Sequence, residues 1–379
     1  MAATITVEPA GTKKELDTLI KFPYQHYRGS NAPDNKWVPP LLMDEKNLFN
    51  KEKDPFYKHA EAENFICRLD GTIAGRISAI IDHEYIEYHK TKTGFFGFFE
   101  CIDNQECADR LVKAASDWLK EHGMTRMIGP MNPSTNHMLG VLINNFETPP
   151  VVQMGYNYPY YDNLLLQSGL QKEKDLFSYI MSKDTLELSD KIKRVAEISQ
   201  KRNRITIEHA DLKKFDELVE TIREIYNDAW GHNWGFVPWT KEEFKYLAKD
   251  LKLIINPELV FLAKIDGRPV GFALPIPDVN QIFIRMNGRL FPSGLFKLLF
   301  GRKNIDLIRV AAFGVREKYQ NIGIDAIFIY YLYTRGVALG MKGAEFSWIL
   351  EDNIKLRNLL ENWGASHYKT HRIYGRDLA

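Results

Sequence analysis

The chain has 379 residues, 45% hydrophobic and 26% charged, with a formal net charge of +1. That is the make-up of a globular protein long enough for two domains, and it excludes disordered and collagenous chains. A balance so near neutrality leaves no overall field to gather nucleic acid or a membrane, so any such attraction has to come from a local patch.

The N-terminal stretch MAATITVEPAGTKKELDTL lacks the pattern of a signal peptide, and no run of 18 uninterrupted apolar residues occurs anywhere. The expected location is cytoplasmic. Cys67, Cys101 and Cys107 form no C-x-x-C pair, and neither H-E-x-x-H nor an acidic loop is present, so no structural disulfide and no metal is expected.

The chain is written twice. Ile5-Thr6-Val7-Glu8 with Ala10, Lys13 and Lys14 returns as Ile205-Thr206-Ile207-Glu208 with Ala210, Lys213 and Lys214, each a short strand entering an amphipathic helix. FICRLDGTIAGRISAIID (65–82) returns as FLAKIDGRPVGFALPIPD (261–278), and both place Asp-Gly between apolar stretches, a strong hairpin signal. Leu164 to Tyr179 and Leu359 to Tyr374 each end a helix at glycine and enter a strand. The repeat is a whole domain, which predicts a lobe at 1–181, a charged helical connector at 182–204, most simply solvated, and a second lobe at 205–379.

In the second copy the predicted order is strand, helix (212–229), helix (241–251), hairpin (259–275), strand (308–315), helix (322–339), strand (344–350), helix (353–363) and strand. This order implies an α/β fold with a mixed, mostly antiparallel sheet flanked by helices. Ligands of such sheets sit where neighbouring strands diverge. There stands VREKYQNIGID (315–325), a polar turn with one glycine that launches a helix, so its backbone N–H groups and the helix N-terminus suit a phosphate.

Gln320-x-x-Gly323-x-Asp325 after the fourth strand resembles the pyrophosphate loop [QR]-x-x-G-x-[GA] of the GNAT superfamily of acyl-CoA N-acyltransferases. A second family pattern, N-x-x-A-x-x-L-Y-x-x-x-G-F, is matched in register by Asn353, Leu356, Leu359, Leu360, Gly364 and Ala365. With GFFGFFEC (94–101), GPMNPSTNHMLGVL (129–142), NWGFVPWT (233–240) and FSWILEDN (346–353), nearly the whole length resembles the two-lobed bacterial branch similar to bacterial ceramide synthases. That resemblance implies two tandem GNAT-like domains and acyl-CoA, or acetyl-CoA, as co-substrate. It assigns the cofactor to Phe313, Gly314, Val315, Gln320, Asn321, Ile322, Gly323, Ile324, Asp325 and Asn353. Two residues depart from the pattern. Asp325 would repel a pyrophosphate unless it turns away, as a helix cap does, and Leu360 stands where the family often has the tyrosine that protonates the thiolate. The first copy has ECIDNQECADRL (100–111) in place of the loop, without glycine, so its lobe is expected to have lost cofactor binding.

An aliphatic amine with a pKa of about 10.4 must lose a proton before it attacks, which costs roughly 4 to 5 kcal/mol at neutral pH. Glu351, at the end of the FSWIL strand, and His232, in the connection where family members contact the acceptor, are the candidate bases. Asp352 ranks behind Glu351, and Asp352 or Asn353 also suits a helix N-cap. Tyr368 or Tyr374 could protonate the thiolate, which with a pKa of about 8.5 also leaves unaided. The backbone of Ala312 to Val315 is placed to polarise the thioester carbonyl, with Gly314 allowing close approach or marking a β-bulge. Asn233 and Trp234 are expected to shape the acceptor pocket, and Asn132, Ser134 and Asn136 to orient a polar head group.

Residues 279–305 hold five basic side chains, no acidic one and many Phe and Leu. Such a segment suits a membrane surface, an acyl-chain channel or packing on the other lobe. The reading is an N-acyltransferase working by direct attack of a primary amine on acyl-CoA, including a long-chain acyl group onto a sphingoid-base-like lipid. Its alternatives are acetylation of a small polar amine and a non-catalytic acyl-CoA sensor. Nucleic acid is not an expected partner.

Overall fold

The computed structural model describes residues 3–30, 35–184 and 190–378. The chain forms two compact units: the first holds Met1–Leu176, Ile282–Lys297 and Lys369–Ala379, the second Phe177–Gln281 and Leu298–Tyr368. Part of the predicted connector, 185–189, lies outside the described residues.

The chain begins with β1 (Ile5–Pro9), α1 (Lys13–Arg28) and α2 (Leu42–Leu48). Thr12 and Glu15 cap α1 reciprocally, the Thr12 hydroxyl accepting the Glu15 N–H while the Glu15 carboxylate accepts that of Thr12. Next come β2 (Ala60–Leu69) and β3 (Thr72–Asp82), joined by Asp70 and Gly71 at φ 49° and 79°, the left-handed pair that a two-residue hairpin turn needs. They are followed by α3 (His83–His89), β4 (Thr93–Cys101), α4 (Gln105–Glu121) and β5 (Arg126–Gly129). Three short strands, β6 (Met131–Asn132), β7 (Met138–Leu139) and β8 (Val141–Leu142), lead to α5 (Tyr161–Gln167) and β9 (Gln171–Ser182). The sheet of the first unit runs β1-β2-β3-β4-β5, antiparallel except for the β4–β5 pair. Leu111, Ala115 and Leu119 repeat every four residues along α4 and are fully buried in the core it shares with this sheet.

The remaining elements are α6 (Asp190–Asn203), β10 (Ile205–His209), α7 (Phe215–Ala229), α8 (Lys241–Lys252), β11 (Phe261–Ile265) and β12 (Arg268–Pro277). After α9 (Asn280–Phe283) and α10 (Ser293–Gly301) come β13 (Leu307–Val315), α11 (Ile324–Ala338), β14 (Gly343–Leu350), α12 (Ile354–Asn362) and β15 (Ser366–Asp377). The sheet of the second unit runs β10-β11-β12-β13-β14, and only β13 and β14 are parallel. Asp266-Gly267 repeats the hairpin turn at φ 49° and 79°. The connector helix is not simply solvated: Ile192 and Ala196 of α6 are buried, and Ala196 joins the core beneath α11.

The site is positioned by the way β13 leaves β14. Their pairing runs from Leu307 opposite Gly343 to Val310 opposite Phe346 and stops, whereas β13 stays paired with β12 through Val315. Leu274 faces Ala312 and Pro275 faces Val310, so Ala311 is the extra residue of a β-bulge. Pro275 has no N–H to give the ladder, and proline inside sheets collects at bulges, which bend the strand that carries them. The bulge is therefore at Ala311 and not at Gly314.

The units also divide differently from the expected sequential boundaries. The closing strand of the first repeat contributes residues 177–182 to the second unit, and that of the second repeat contributes 369–377 to the first. Tyr374 consequently lies in the first unit, opposite Gly129 on β5, fully buried and with its hydroxyl donating to the Asp162 carboxylate. Burial and that carboxylate push the phenol far up. Tyr374, expected as an acid for the thiolate, thus has its hydroxyl buried and given to Asp162. Tyr374→Phe is expected to lower stability by about 1–3 kcal/mol in urea unfolding, since it leaves Asp162 without its donor, while catalytic turnover stays unchanged.

Candidate functional site

Between β13 and α11 the chain makes a short turn in which Asn321 and Gly323 take left-handed φ of 64° and 89°. Gly323 is the N-cap of α11 and supplies no side chain to cap it, and the first backbone bond of the helix is from Ile327 N–H to the Gly323 carbonyl. The N–H groups ahead of Ile327 thus emerge at the positive end of a 15-residue helix. Gln320 closes the turn by donating to the Val315 carbonyl at 3.2 Å, and Lys355 donates to Asn321 Oδ1. The connector helix holds the other side: Asn203 Nδ2 donates to the Ile322 carbonyl at 3.2 Å, and a Cβ on Gly323 would lie 2.2 Å from Ser199 Oγ. Asp325 sits in the first turn of α11 and does not cap it; burial pushes its carboxyl up, against the pull of Lys355.

A buried polar network stands at the foot of the divergence. Arg309 and Glu345 are opposite one another on β13 and β14, one rung before the pairing ends, and are 3% and 1% exposed. Ser347 donates to the Glu345 carboxylate at 2.6 Å and accepts from Arg309 Nε at 3.0 Å, and the Tyr368 hydroxyl donates to the other Glu345 oxygen. Burial pulls the Arg309 guanidinium down to about 10, against the opposing charges of Glu345 and Asp278. Its guanidinium carbon lies 5.1 Å from the centre of the Trp348 indole, whose buried N–H has no hydrogen-bond partner among the described residues.

On the helix side of the same strands, Phe215, Leu218, Ile222, Phe244, Leu251 and Leu274 line an apolar pocket under α7 and α8. Of these, Leu274 is the register partner of Ala312, the residue after the bulge.

The first unit repeats the divergence and fills it. The β4–β5 pairing ends at Phe95 opposite Ile128. Beyond it, the Phe98 N–H donates to Asn132 Oδ1 at 2.5 Å, the Cys101 N–H to the Tyr161 hydroxyl at 3.2 Å, and the Tyr160 hydroxyl to the Cys101 carbonyl at 3.1 Å. Glu100 stands where the second unit has Gly314, taking hydrogen bonds from Tyr27 and Tyr161 at 2.7 Å each, and burial pushes its carboxyl up. The helix that follows is capped by Asn104, which accepts the Cys107 N–H.

Several expected residues occupy other places. Asn132 also donates to the Met138 carbonyl, while Ser134 is bonded to His137 and accepts the Asn136 N–H. Asn353 caps α12 by accepting the Leu356 N–H, and Leu360 is fully buried. A Cβ on Gly314 would lie 3.0 Å from the Phe272 ring and 3.3 Å from Ala229, so its bareness lets α7 pack. His232 is 89% exposed, 3.7 Å from Glu317, and Asn233 is exposed while its backbone shapes the turn. Trp234 is half-buried in that turn, as are Ile322 and Glu351 in theirs and Phe313 in β13, whereas Val315 and Ile324 are buried. The Glu351 carbonyl accepts from Arg357 at 2.6 Å. Tyr368 is the one expected residue that joins the network; Arg309, Glu345 and Ser347 were missed, although charge inside an apolar strand pattern was a readable sign. Among the described residues, no group of three or more His, Cys, Asp or Glu is placed to hold a metal, and no helix is long and apolar enough to cross a membrane.

Two units, each with a mixed sheet whose one parallel pair parts, the second turning through a glycine loop into a helix without a side-chain cap, have the fold of the GCN5-related N-acyltransferases. The solved tandem GNAT protein from the clavulanic acid biosynthesis pathway matches with a TM-score of 0.57 at 10% identity over 99% of each chain. A GCN5-related N-acetyltransferase from Sphaerobacter thermophilus gives 0.52 at 11%, over 99% of this chain and 96% of its own. At such identities the likeness is one of fold. No protein-family model matches the chain. In sequence it is 33% identical to the bacterial ceramide synthase of Caulobacter vibrioides (strain NA1000 / CB15N), over 99% of this chain and 98% of the relative. It is 34% identical to Protein YghO of Escherichia coli (strain K12), over 97% and 94%. The chain belongs to the family of these two proteins, a two-lobed branch of the GNAT N-acyltransferases.

The loop glycine has two constraints, its φ and its distance from Ser199. Gly323→Ala is expected to cost about 1–3 kcal/mol in urea unfolding, and a double-mutant cycle with Ser199→Gly should show coupling between the sites. Strict additivity would mean that α6 does not brace the turn.

Proposed function

We propose that the chain moves a long-chain acyl group from coenzyme A onto the primary amine of a lipid, of the sphingoid-base class that the name of its Caulobacter relative implies. The observation that carries the lipid reading is the apolar pocket at the bulge, which offers a hydrocarbon chain a lining without polar groups. In this reading the uncapped start of α11 and the Gln320 to Asp325 turn take the pyrophosphate. The edge of β13 beyond Val310, released from β14, pairs with the amides of the pantetheine arm. The unsatisfied Trp348 indole N–H suits a substrate carbonyl oxygen. The first unit, whose divergence is filled by Asn132, Tyr160 and Tyr161, serves without a cofactor of its own.

The amine nitrogen attacks the thioester carbon directly, a C–N bond forming as the C–S bond breaks. The nitrogen loses a proton and the thiolate gains one. Tyr368, hydrogen-bonded to Glu345, is the group proposed to relay that proton, ahead of Glu351 and His232, because it joins a buried network at the point of divergence. Ser347 and Arg309 hold the carboxylate in place. Acetylation of a small polar amine makes no use of the pocket.

The deciding assay is thiol release by the purified protein, with palmitoyl-CoA and a sphingoid base against acetyl-CoA and a polyamine. Release with the first pair alone is expected; release with the second alone would overturn the lipid reading. Leu274→Trp, which fills the pocket, should shift the preference toward shorter acyl-CoA. Tyr368→Phe and Glu345→Gln should each lower kcat about a hundredfold while leaving KM for acyl-CoA within a few-fold. Unchanged kcat in both variants would remove the proton relay from this network.

A further inference from the structure

The insertion at 279–305 is the one segment singled out by its composition that the acyl-transfer chemistry leaves unused. Its five cations, Arg285, Arg289, Lys297, Arg302 and Lys303, are all exposed, and none pairs with a carboxylate among the described residues. Within α10, Phe296, Leu299 and Phe300 follow the i, i+3, i+4 spacing of one helical face and are 60%, 57% and 69% exposed. Phe291, just ahead of the helix, is 68% exposed. The helix is continuous, so this stripe is set by its own geometry.

The backbone under the stripe is fixed. Gly294 is buried, and a Cβ there would lie 2.2 Å from the Arg289 carbonyl oxygen and 2.7 Å from Met286 Cε. Lys297 Nζ donates to the Arg285 carbonyl at 2.7 Å, and the Gly288 carbonyl accepts the Leu42 N–H at 3.0 Å. Four large apolar side chains thus face water from a held segment instead of folding back onto the protein, an arrangement that marks an interaction surface.

We propose that α10 and its flanks dock on an anionic lipid surface, with Phe291, Phe296, Leu299 and Phe300 entering the boundary between headgroups and acyl chains and the five cations meeting lipid phosphates. Charge selects this occupant. A second copy of the same face would set five cations against five with no acid between them, and a neutral apolar partner would leave all five unused. An acidic lipid layer satisfies both halves of the surface.

The proposal stands apart from the acyl-transfer reading, because docking is measured without acyl-CoA. The full chain is sedimented with vesicles of phosphatidylcholine, with and without phosphatidylglycerol. Binding is expected with phosphatidylglycerol and should fall as salt rises. Phe296→Glu with Phe300→Glu should lower the partition coefficient about tenfold or more, with the urea midpoint and turnover of a short-chain acyl-CoA preserved. Arg302→Glu with Lys303→Glu should remove the preference for the anionic lipid. Wild-type protein that ignores both vesicles, or equal binding by the double glutamate variant, would overturn the proposal. So would a dimer in sedimentation velocity that the same variant dissociates while vesicles stay unbound.

Discussion

The parting of β13 from β14 after Val310 and Phe346 is the constraint on which the second unit depends. Two local causes fix where it happens. Pro275 withholds a ladder donor and forces the bulge at Ala311, and the Arg309–Glu345 rung just before it holds the strands together. Burying two charges costs several kcal/mol per ion, so such a rung adds little net stability, and its use is to define the register. Ser347 and Tyr368 supply the further hydrogen bonds that make the burial tolerable. The residues that set the geometry are thus the ones that hold Tyr368, the group proposed to relay the proton.

The two units show what keeps such a divergence open. Both have a mixed sheet with one parallel pair, and in both the pair ends within four rungs. In the first unit the freed strand is stitched by Asn132, Tyr160 and Tyr161, and the next helix is capped by Asn104. In the second, glycine replaces the cap, and the pairing of β13 beyond the bulge is with β12 alone. Backbone groups left without partners inside a fold are costly. The first unit has satisfied that cost with its own side chains.

Much of this was legible in the sequence. The Asp-Gly hairpins carry their own turn chemistry, and the glycine between a strand and a helix sets its own φ, so both could be read locally. In the second copy the helices fell within three residues of their predicted ends, because their apolar periodicity is long. Local signals were silent where the cause is distant. Nothing near Tyr374 says that its strand completes the sheet of the first unit, since strand order is decided by which edge remains open. Gly314 was read as an approach for a ligand or a β-bulge, and the atoms that crowd it, Phe272 and Ala229, are remote in sequence, so its packing could not be read locally. Glu345 was not singled out, because a carboxylate inside an apolar strand gains meaning only once Arg309 is seen opposite it.

The connector helix adds a further link. Ala196 seats α6 in the core, Gln200 donates to the Tyr331 hydroxyl of α11, Asn203 to the Ile322 carbonyl, and Ser199 crowds Gly323. A turn with two left-handed residues would otherwise sample many shapes, and ordering it at the moment of binding would subtract from affinity. With α6 packed behind it, that ordering is done during folding. The segment that joins the two repeats in the chain therefore also braces the turn proposed to take the pyrophosphate.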